Sequence, residues 1–331
     1  MKPIRTLLTV AAAALTLASC DHKELCYDHR HAVAARVNVD WSLFTEEQPT
    51  GMTVTLYPTD GEQPYSTLTN NTLYADLSVP PGTYDAMVYN QSPSEFGTVE
   101  FSGMDYRSTA TVYAATVSSR WYKTRADNER LVCQPEWIAT DIMADVEAPE
   151  EESDRHARTQ TRCVVATLMP QCVVYTISID IHIKNIYNVR SARASLDGLA
   201  DGYRLGAMRA TATQATQLIE EWTMTRDGDN PANGTLHASI QSFGLPDGQE
   251  RLPDRNHLRL SLLLVDNKTQ KDYDFAVGDR FVKDEDVRLS LSLSESIDEP
   301  LPDVKPDGGA TGGFDAKVDD WGEDERIDIG V

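Results

Sequence analysis

Apolar and polar residues alternate along most of this chain. The clearest run is "VVYTISIDIHIK", where Val173, Tyr175, Ile177, Ile179, Ile181 and Ile183 fall on one side. Val174, Thr176, Ser178, Asp180, His182 and Lys184 fall on the other. A period of two predicts a strand with one buried and one wet face. His182 belongs to the wet row, so it carries no assigned chemistry. The same alternation places Val37, Val39 and Trp41 on one face, then Met52, Val54 and Leu56, then Val287, Leu289, Leu291 and Leu293. Turns are signalled at Asp60–Gly61 and at Pro80–Pro81–Gly82, and residues 256–277 read as two strands around a polar turn. Short strands at intervals of about ten residues predict a sandwich or barrel rather than βαβ units. One segment, "GAMRATATQATQLIEEW", has a composition that suits a short helix and a threonine content that suits strand or loop.

The alternation lapses over residues 145–160, "DVEAPEEESDRHARTQ". That acidic stretch has too little apolar surface to order itself and marks a domain boundary. The predicted organisation is therefore all-β, with one β-sandwich over 36–144, an acidic linker over 145–160, and a second sandwich with a C-terminal tail over 161–331. The linker is the expected site of proteolytic cleavage into two β-rich fragments. The tail contains a spacer with Gly308, Gly309, Gly312 and Gly313 and ends on alternating Ile327, Ile329 and Val331. That last strand either closes its own sandwich or adds to a neighbour's sheet edge.

The N-terminus follows a different pattern. Lys2 and Arg5 precede an apolar run from Leu7 to Leu17. The run is well short of the roughly 20 residues that span a bilayer, and it fits the apolar core of a secretion signal. Leu17, Ala18, Ser19 and Cys20 then form a lipobox. Residues 1–19 are read as a lipoprotein signal peptide cleaved between Ser19 and Cys20. Cys20 would carry an N-acyl group and an S-diacylglycerol (palmitate-type) modification, with residues 20–35 as a tether. Several acyl chains give stable membrane anchoring.

Charge narrows the partners. The chain has 52 acidic and 30 basic residues and a formal net charge of −22. A mature chain would keep every acid and lose Lys2 and Arg5, so nucleic-acid binding is not expected, and the membrane contact falls to the lipid. Beyond Cys20, the pairing of Cys26, Cys133, Cys163 and Cys172 cannot be read from spacing. Cys26, His29 and His31 could ligate a metal, but without an orienting element they read as a solvated linker. Asp227–Asn230 opens like a calcium loop, but Pro231 stands at a ligand position. No HExxH, GxSxG, GxxxxGK[ST] or GxGxxG motif occurs. No catalytic residue, cofactor or metal site is assigned, and an enzyme is not expected.

Several stretches carry a resemblance: "CDHKELCYDH" after the lipobox, "PTGMTVTLYPTDG", "PPGTYDAMVYNQSPSEFGTVEF", "IHIKNIYNVRSARASLDGLADGYRLG" and the terminal "VDDWGEDERIDIGV". The chain resembles a family of fimbrillin-like lipoproteins from Gram-negative gut and oral anaerobes, similar to fimbrial anchor subunits. The resemblance runs from Cys20 to Val331. It implies two tandem transthyretin-like, Greek-key β-sandwiches and subunits that join by strand addition. It implies no catalytic residue, and only Cys20 transfers as a functional position. It also implies that Asp21 and Glu24, close to the lipidated cysteine, mark export to the outer face of the outer membrane.

The function expected is a surface lipoprotein acting as anchor or accessory structural subunit of a fimbria or pilus, in contact with outer-membrane lipid and with other fimbrial subunits. The alternative is a surface lipoprotein that binds a glycan or host protein through its loops. Exposure of Tyr89, Trp121 and Trp222 would favour the glycan; the same residues serve equally as core.

Overall fold

In the computed structural model, residues 32–45, 48–125, 128–149, 163–283 and 289–306 are described. Cys20, Cys26, His29, His31, residues 150–162, Val287 and the terminal strand from Ile327 to Val331 lie outside them. The first eleven strands are β1 (Val33–Val39), β2 (Met52–Pro58), β3 (Tyr65–Thr69), β4 (Tyr74–Val79), β5 (Gly82–Asn90), β6 (Val99–Ser102), β7 (Thr111–Ala114), β8 (Leu131–Val132), β9 (Ala139–Ala148), β10 (Cys163–Leu168) and β11 (Gln171–Cys172). A three-stranded sheet, β10-β1-β4, packs on a five-stranded sheet, β11-β9-β5-β2-β3. The core between them holds the predicted rows Val37, Val39 and Trp41 and Met52, Val54 and Leu56. Pro80 and Pro81 carry the chain from one sheet to the other, because β4 and β5 do not pair with each other. The Tyr84 hydroxyl donates to the Pro80 carbonyl (2.6 Å) and closes that corner.

The second set is β12 (Tyr175–Lys184), β13 (Val189–Ala200), β14 (Gly202–Arg204), β15 (Arg209–Ala210), β16 (Gln214–Ile219), β17 (Thr223–Arg226), β18 (Asn233–Ser242), β19 (His257–Leu264), β20 (Gln270–Ala276), β21 (Val282–Lys283) and β22 (Ser290–Ile297). Two five-stranded sheets, β17-β18-β12-β22-β21 and β20-β19-β13-β16-β8, face each other. Between them lies a core containing Ile177, Ile179, Ile181, Ile183, Leu258, Leu260, Leu262, Leu291 and Leu293. The ambiguous segment is strand rather than helix: one 3-10 turn at Leu205–Ala207, then β15 and β16. Of its β-branched threonines, Thr216 takes a place on the pleated surface of β16, while Thr211 and Thr213 lie in the loop before it. Each sandwich joins an early strand to a late one in parallel, β1 to β10 and β12 to β22. A parallel pair needs a long crossover, and here the body of the sandwich supplies it.

The boundary differs from the one expected at 145–160. β9 continues to Ala148, because Val146 and Ala148 turn inward while Asp145 and Glu147 face solvent. Acidic composition alone had suggested a linker, but the alternate positions still carry buried side chains. β10, inside the span assigned to the second domain, completes the first sandwich beside β1. The tether also ends earlier than residue 35, since Val33 and Ala35 are buried in β1.

Nor are the sandwiches separate. A third core, with Tyr57, Met87, Tyr89, Val112, Ile138, Val173, Leu205 and Phe243, lies between them. A four-stranded sheet, β15-β14-β7-β6, takes two strands from each side. β8, from the first half of the chain, pairs in parallel with β16 of the second sandwich. At Gly202 an added Cβ would lie 2.4 Å from the Val112 carbonyl oxygen, so glycine is what allows β14 to reach β7. Residues 115–125 and 128–130 form a strap that meets the second sandwich at Glu220, Thr216 and Asp274.

Candidate functional site

In an all-β chain an unpaired sheet edge is the place where a partner strand can add, so the candidate site is built from the edges. Five of the ten sheet edges are blunted. β8, β11, β15 and β21 have two residues each. β20 exposes Lys271, Asp272 and Asp274, and charge on an edge discourages pairing. β22 is different. It pairs with β12 along its whole length, from Ser290↔Thr176 to Ile297↔Ile183. On its other side, β21 reaches only Leu291 and Ser292. The ladder side of Leu293–Ile297 has no strand beside it among the described residues. Val282, on β21, is 62% exposed at this edge.

One inward charge sits in the same place. Glu295 occupies the core-facing row after Leu291 and Leu293, with its side chain buried. Arg280 Nη1 donates to both its oxygens, at 2.8 and 2.6 Å. An inward-pointing charge near an edge disfavours indiscriminate pairing. Sequence reasoning missed Glu295. The signal was present, because "SLSLSES" puts Glu where the period calls for an apolar residue.

The strap carries a second polar cluster. Glu129 accepts from the Tyr122 hydroxyl (2.6 Å), the Arg125 backbone N–H (2.6 Å) and the Thr216 hydroxyl (2.7 Å), the last on β16. Burial opposes ionisation of Glu129, but these hydrogen bonds outweigh it and hold the carboxyl below its ordinary range. Burial and the same contact push the Tyr122 phenol up to about 12. Trp121 donates its indole N–H to Glu220, with Arg193 set 5.4 Å over its ring. Arg130 pairs with buried Asp201 at the seam.

Of the aromatics singled out in the sequence, Tyr89 and Trp222 are core. Burial pushes the Tyr89 phenol up to about 12. Trp121, on the strap itself, is half-buried. His182 lies on the polar face as expected, with Nδ1 2.9 Å from the Thr235 hydroxyl. No disulfide joins Cys133, Cys163 and Cys172 to one another. Among the described residues, no group of three or more His, Cys, Asp or Glu side chains is placed to hold a metal ion.

Comparison with known proteins adds a family and a fold. The family model described as "Domain of unknown function (DUF5119)" matches residues 19–220, more than half of the chain. A "Putative fimbrium anchoring subunit Fim4B" of Bacteroides ovatus is 21% identical over 346 residues, covering 98% of this chain and 97% of that protein. A crystal structure of a "putative adhesin" from Bacteroides ovatus superposes with a TM-score of 0.57 at 17% identity, over 82% of this chain and 94% of that one. It shows the same all-β fold. The fimbrial anchor protein Mfa2 from Porphyromonas gingivalis gives a TM-score of 0.48 at 12% identity, over 80% and 90%.

Proposed function

The chain belongs to the DUF5119 family, and on that premise we propose that it is a surface lipoprotein serving as anchor or accessory structural subunit of a fimbria. The observation that carries this reading is the end-to-end likeness to a protein described as a fimbrium anchoring subunit. A relation over the full length of both chains supports a shared role better than a shared module does. Two further features agree with it. The lipobox at Leu17–Cys20 supplies a membrane attachment, and β22 supplies an edge for a partner strand.

In this reading Cys20 holds the chain in the outer membrane, facing the cell surface. Twelve residues, 21–32, lie between Cys20 and Val33, the first residue of β1. Fully extended, they span at most about 45 Å. The attachment enters the first sandwich, and the open edge lies on the second. A fimbrial subunit adds a strand along Leu293–Ile297, with main-chain hydrogen bonds giving affinity and alternate side chains giving register.

Two variants test the proposal in the native membrane. Cys20→Ser should yield an uncleaved or soluble precursor; normal maturation and membrane retention would refute the lipid attachment. Val282→Lys puts a charge on an already exposed position, so thermal stability should be unchanged while co-purification of fimbrial subunits falls. If Val282→Lys co-purifies the same subunits in the same amount, β22 is not the docking edge. If the unaltered protein brings down no fimbrial subunit at all, the anchor reading itself fails.

A further inference from the structure

Two clefts were candidates for a ligand. One lies under the strap, lined by Trp121, Tyr122, Arg259, Asp272 and Asp274. Apart from Lys123, its charged groups and the polar atoms of Trp121 and Tyr122 are already satisfied within the protein. Arg259 pairs with Asp197 and Asp274, Trp121 with Glu220, Tyr122 with Glu129, and Asp272 with Ser261. A site whose hydrogen-bonding groups are used up has little to offer a polar ligand.

The other cleft, of about 500 Å³, opens where the two sandwiches meet. Its walls are the turn after β2, the loop between β6 and β7, and the end of β14. These walls are held firmly. The Thr109 hydroxyl donates to the Gly103 carbonyl (2.6 Å), and the Ala110 N–H to the Tyr106 carbonyl (3.0 Å). Arg107 pairs with Asp85 (2.9 Å), whose other oxygen accepts the Asp145 N–H (3.2 Å). A Cβ on Gly206 would lie 1.8 Å from the Arg107 carbonyl oxygen, so glycine sets the width of the seam there.

Within this braced frame, the side chains of Glu62, Asp105, Tyr106 and Arg204 make no hydrogen bond or ion pair with any described residue. Tyr106 is 49% exposed. Two carboxylates that only accept, one guanidinium that only donates and one aromatic face thus converge on one cavity. A pyranose matches that set. Each hydroxyl both donates and accepts, and the ring presents an apolar C–H face that can lie against an aromatic. The cavity falls within the roughly 300–1,000 Å³ of small-ligand sites. Glu62, Asp85 and Asp105 outnumber Arg107 and Arg204, which disfavours sugars carrying carboxylate or sulfate.

We propose that this cleft binds a neutral hexose unit of a glycan, with Arg204, Asp105 and Glu62 contacting the hydroxyls and Tyr106 the ring face. The site lies at the seam, away from β22, and does not depend on the anchor reading.

The test uses the full protein immobilised and probed with soluble α-mannan, β-glucan and galactan. Polygalacturonate and chitosan serve as acidic and basic comparators. At least one neutral polymer should bind. Arg204→Ala and Tyr106→Ala should each lower its affinity by about tenfold or more, the loss of one to two hydrogen bonds or one ring contact. Their melting temperatures should be unchanged, and Lys123→Ala in the strap cleft should bind as the unaltered protein does. Three results would each overturn the proposal. These are binding of none of the three neutral polymers, binding that survives both substitutions, or preference for polygalacturonate or chitosan. Retention of fimbrial subunits by the same preparation reports separately on the anchor reading.

Discussion

β2 of the first sandwich and β22 of the second are both alternating strands, but they are buried differently. In β2, Met52 through Tyr57 are all buried, the threonines between the apolar residues included. In β22 the serines remain at the surface while Leu291, Leu293 and Ile297 are buried. The sequence pattern is similar; the difference is what lies against the second face. β2 has the third core against it, with Tyr57 packed among Met87, Tyr89 and Phe96. Its threonines are accommodated by local bonds, Thr53 to the Gln91 carbonyl (2.8 Å) and Thr55 to Ser66 (3.0 Å). The outer face of β22 carries Ser292, Ser294 and Ser296 in water. A sheet covered on both faces acts as a joint, whereas one covered on a single face can still offer a surface.

The strongest way to break the comparison is to empty the joint. Phe243 is 1% exposed in the third core, with its ring centroid 6.5 Å from that of Tyr203. Phe243→Ala should cost about 3–5 kcal/mol. Because strands from both sandwiches meet there, denaturant unfolding should remain a single transition with a lower midpoint. If two transitions separate in the unaltered protein, the sandwiches are independent and the shared core is not coupling them.

The strap gives a smaller effect with a pH signature. Glu129→Gln keeps the shape but weakens three hydrogen bonds to a carboxylate, at a cost of about 2 kcal/mol. The Glu129 carboxyl sits below its ordinary range in the folded chain. Its contribution is therefore fully present above the unfolded-state value and is lost as pH falls through the lower folded value. The unaltered protein should lose more stability than the Gln variant on acidification below about pH 4.5, and the two melting curves should converge in acid. Parallel curves from pH 7 downward would show that Glu129 is not the titrating group.

At the open edge the expected change is smaller again. Arg280→Ala leaves Glu295 without its guanidinium; since Arg280 is more than half exposed, we expect about 1–2 kcal/mol. Adding Glu295→Leu should restore or exceed the original stability, because a leucine continues the row of Leu291 and Leu293. A double variant no more stable than the single one would mean that Glu295 contributes something other than a compensated charge.

These effects show which features the sequence could reveal. The isoleucines of β12 were legible because one strand facing one core obeys a period of two. Thr53 and Thr55 were not, because alternation says which residues point together and nothing about what later covers the other side. The parallel pairing of β1 with β10 was hidden because the two strands are far apart in sequence and β9 begins the acidic stretch that looked like a boundary. The turn at Asn267, with φ of 57°, was foreshadowed by the polar residues between β19 and β20. The seam cleft left no sequence signal. Glu62 comes from the turn after β2, Asp105 and Tyr106 from the β6–β7 loop and Arg204 from the end of β14, and no spacing links these three segments. The open edge was equally invisible, since it depends on how little of β22 is reached by β21.

The smallest expected effect lies on the polar face of the second sandwich. Its β12–β18 register sets Asp180 opposite His237 and His182 opposite Thr235. His237 Nδ1 lies 2.6 Å from Asp180, with the two side chains 41% and 47% exposed. A polar contact that open to water gains little, because solvent competes with it and the side chains must be ordered to form it. His237→Ala should therefore change stability by less than about 0.5 kcal/mol near pH 7. Emptying the covered face of β2 should cost several times more. Thr53→Ala, which removes a hydroxyl bonded to the Gln91 carbonyl in a 5% exposed site, should cost about 1 kcal/mol. The pair of measurements contrasts the two faces, since both substitutions delete side-chain hydrogen bonding from a strand. Equal losses would mean that cover from the neighbouring sandwich does not strengthen the bonds beneath it. A larger loss at His237 would mean that this open face is itself covered in solution by something that binds it.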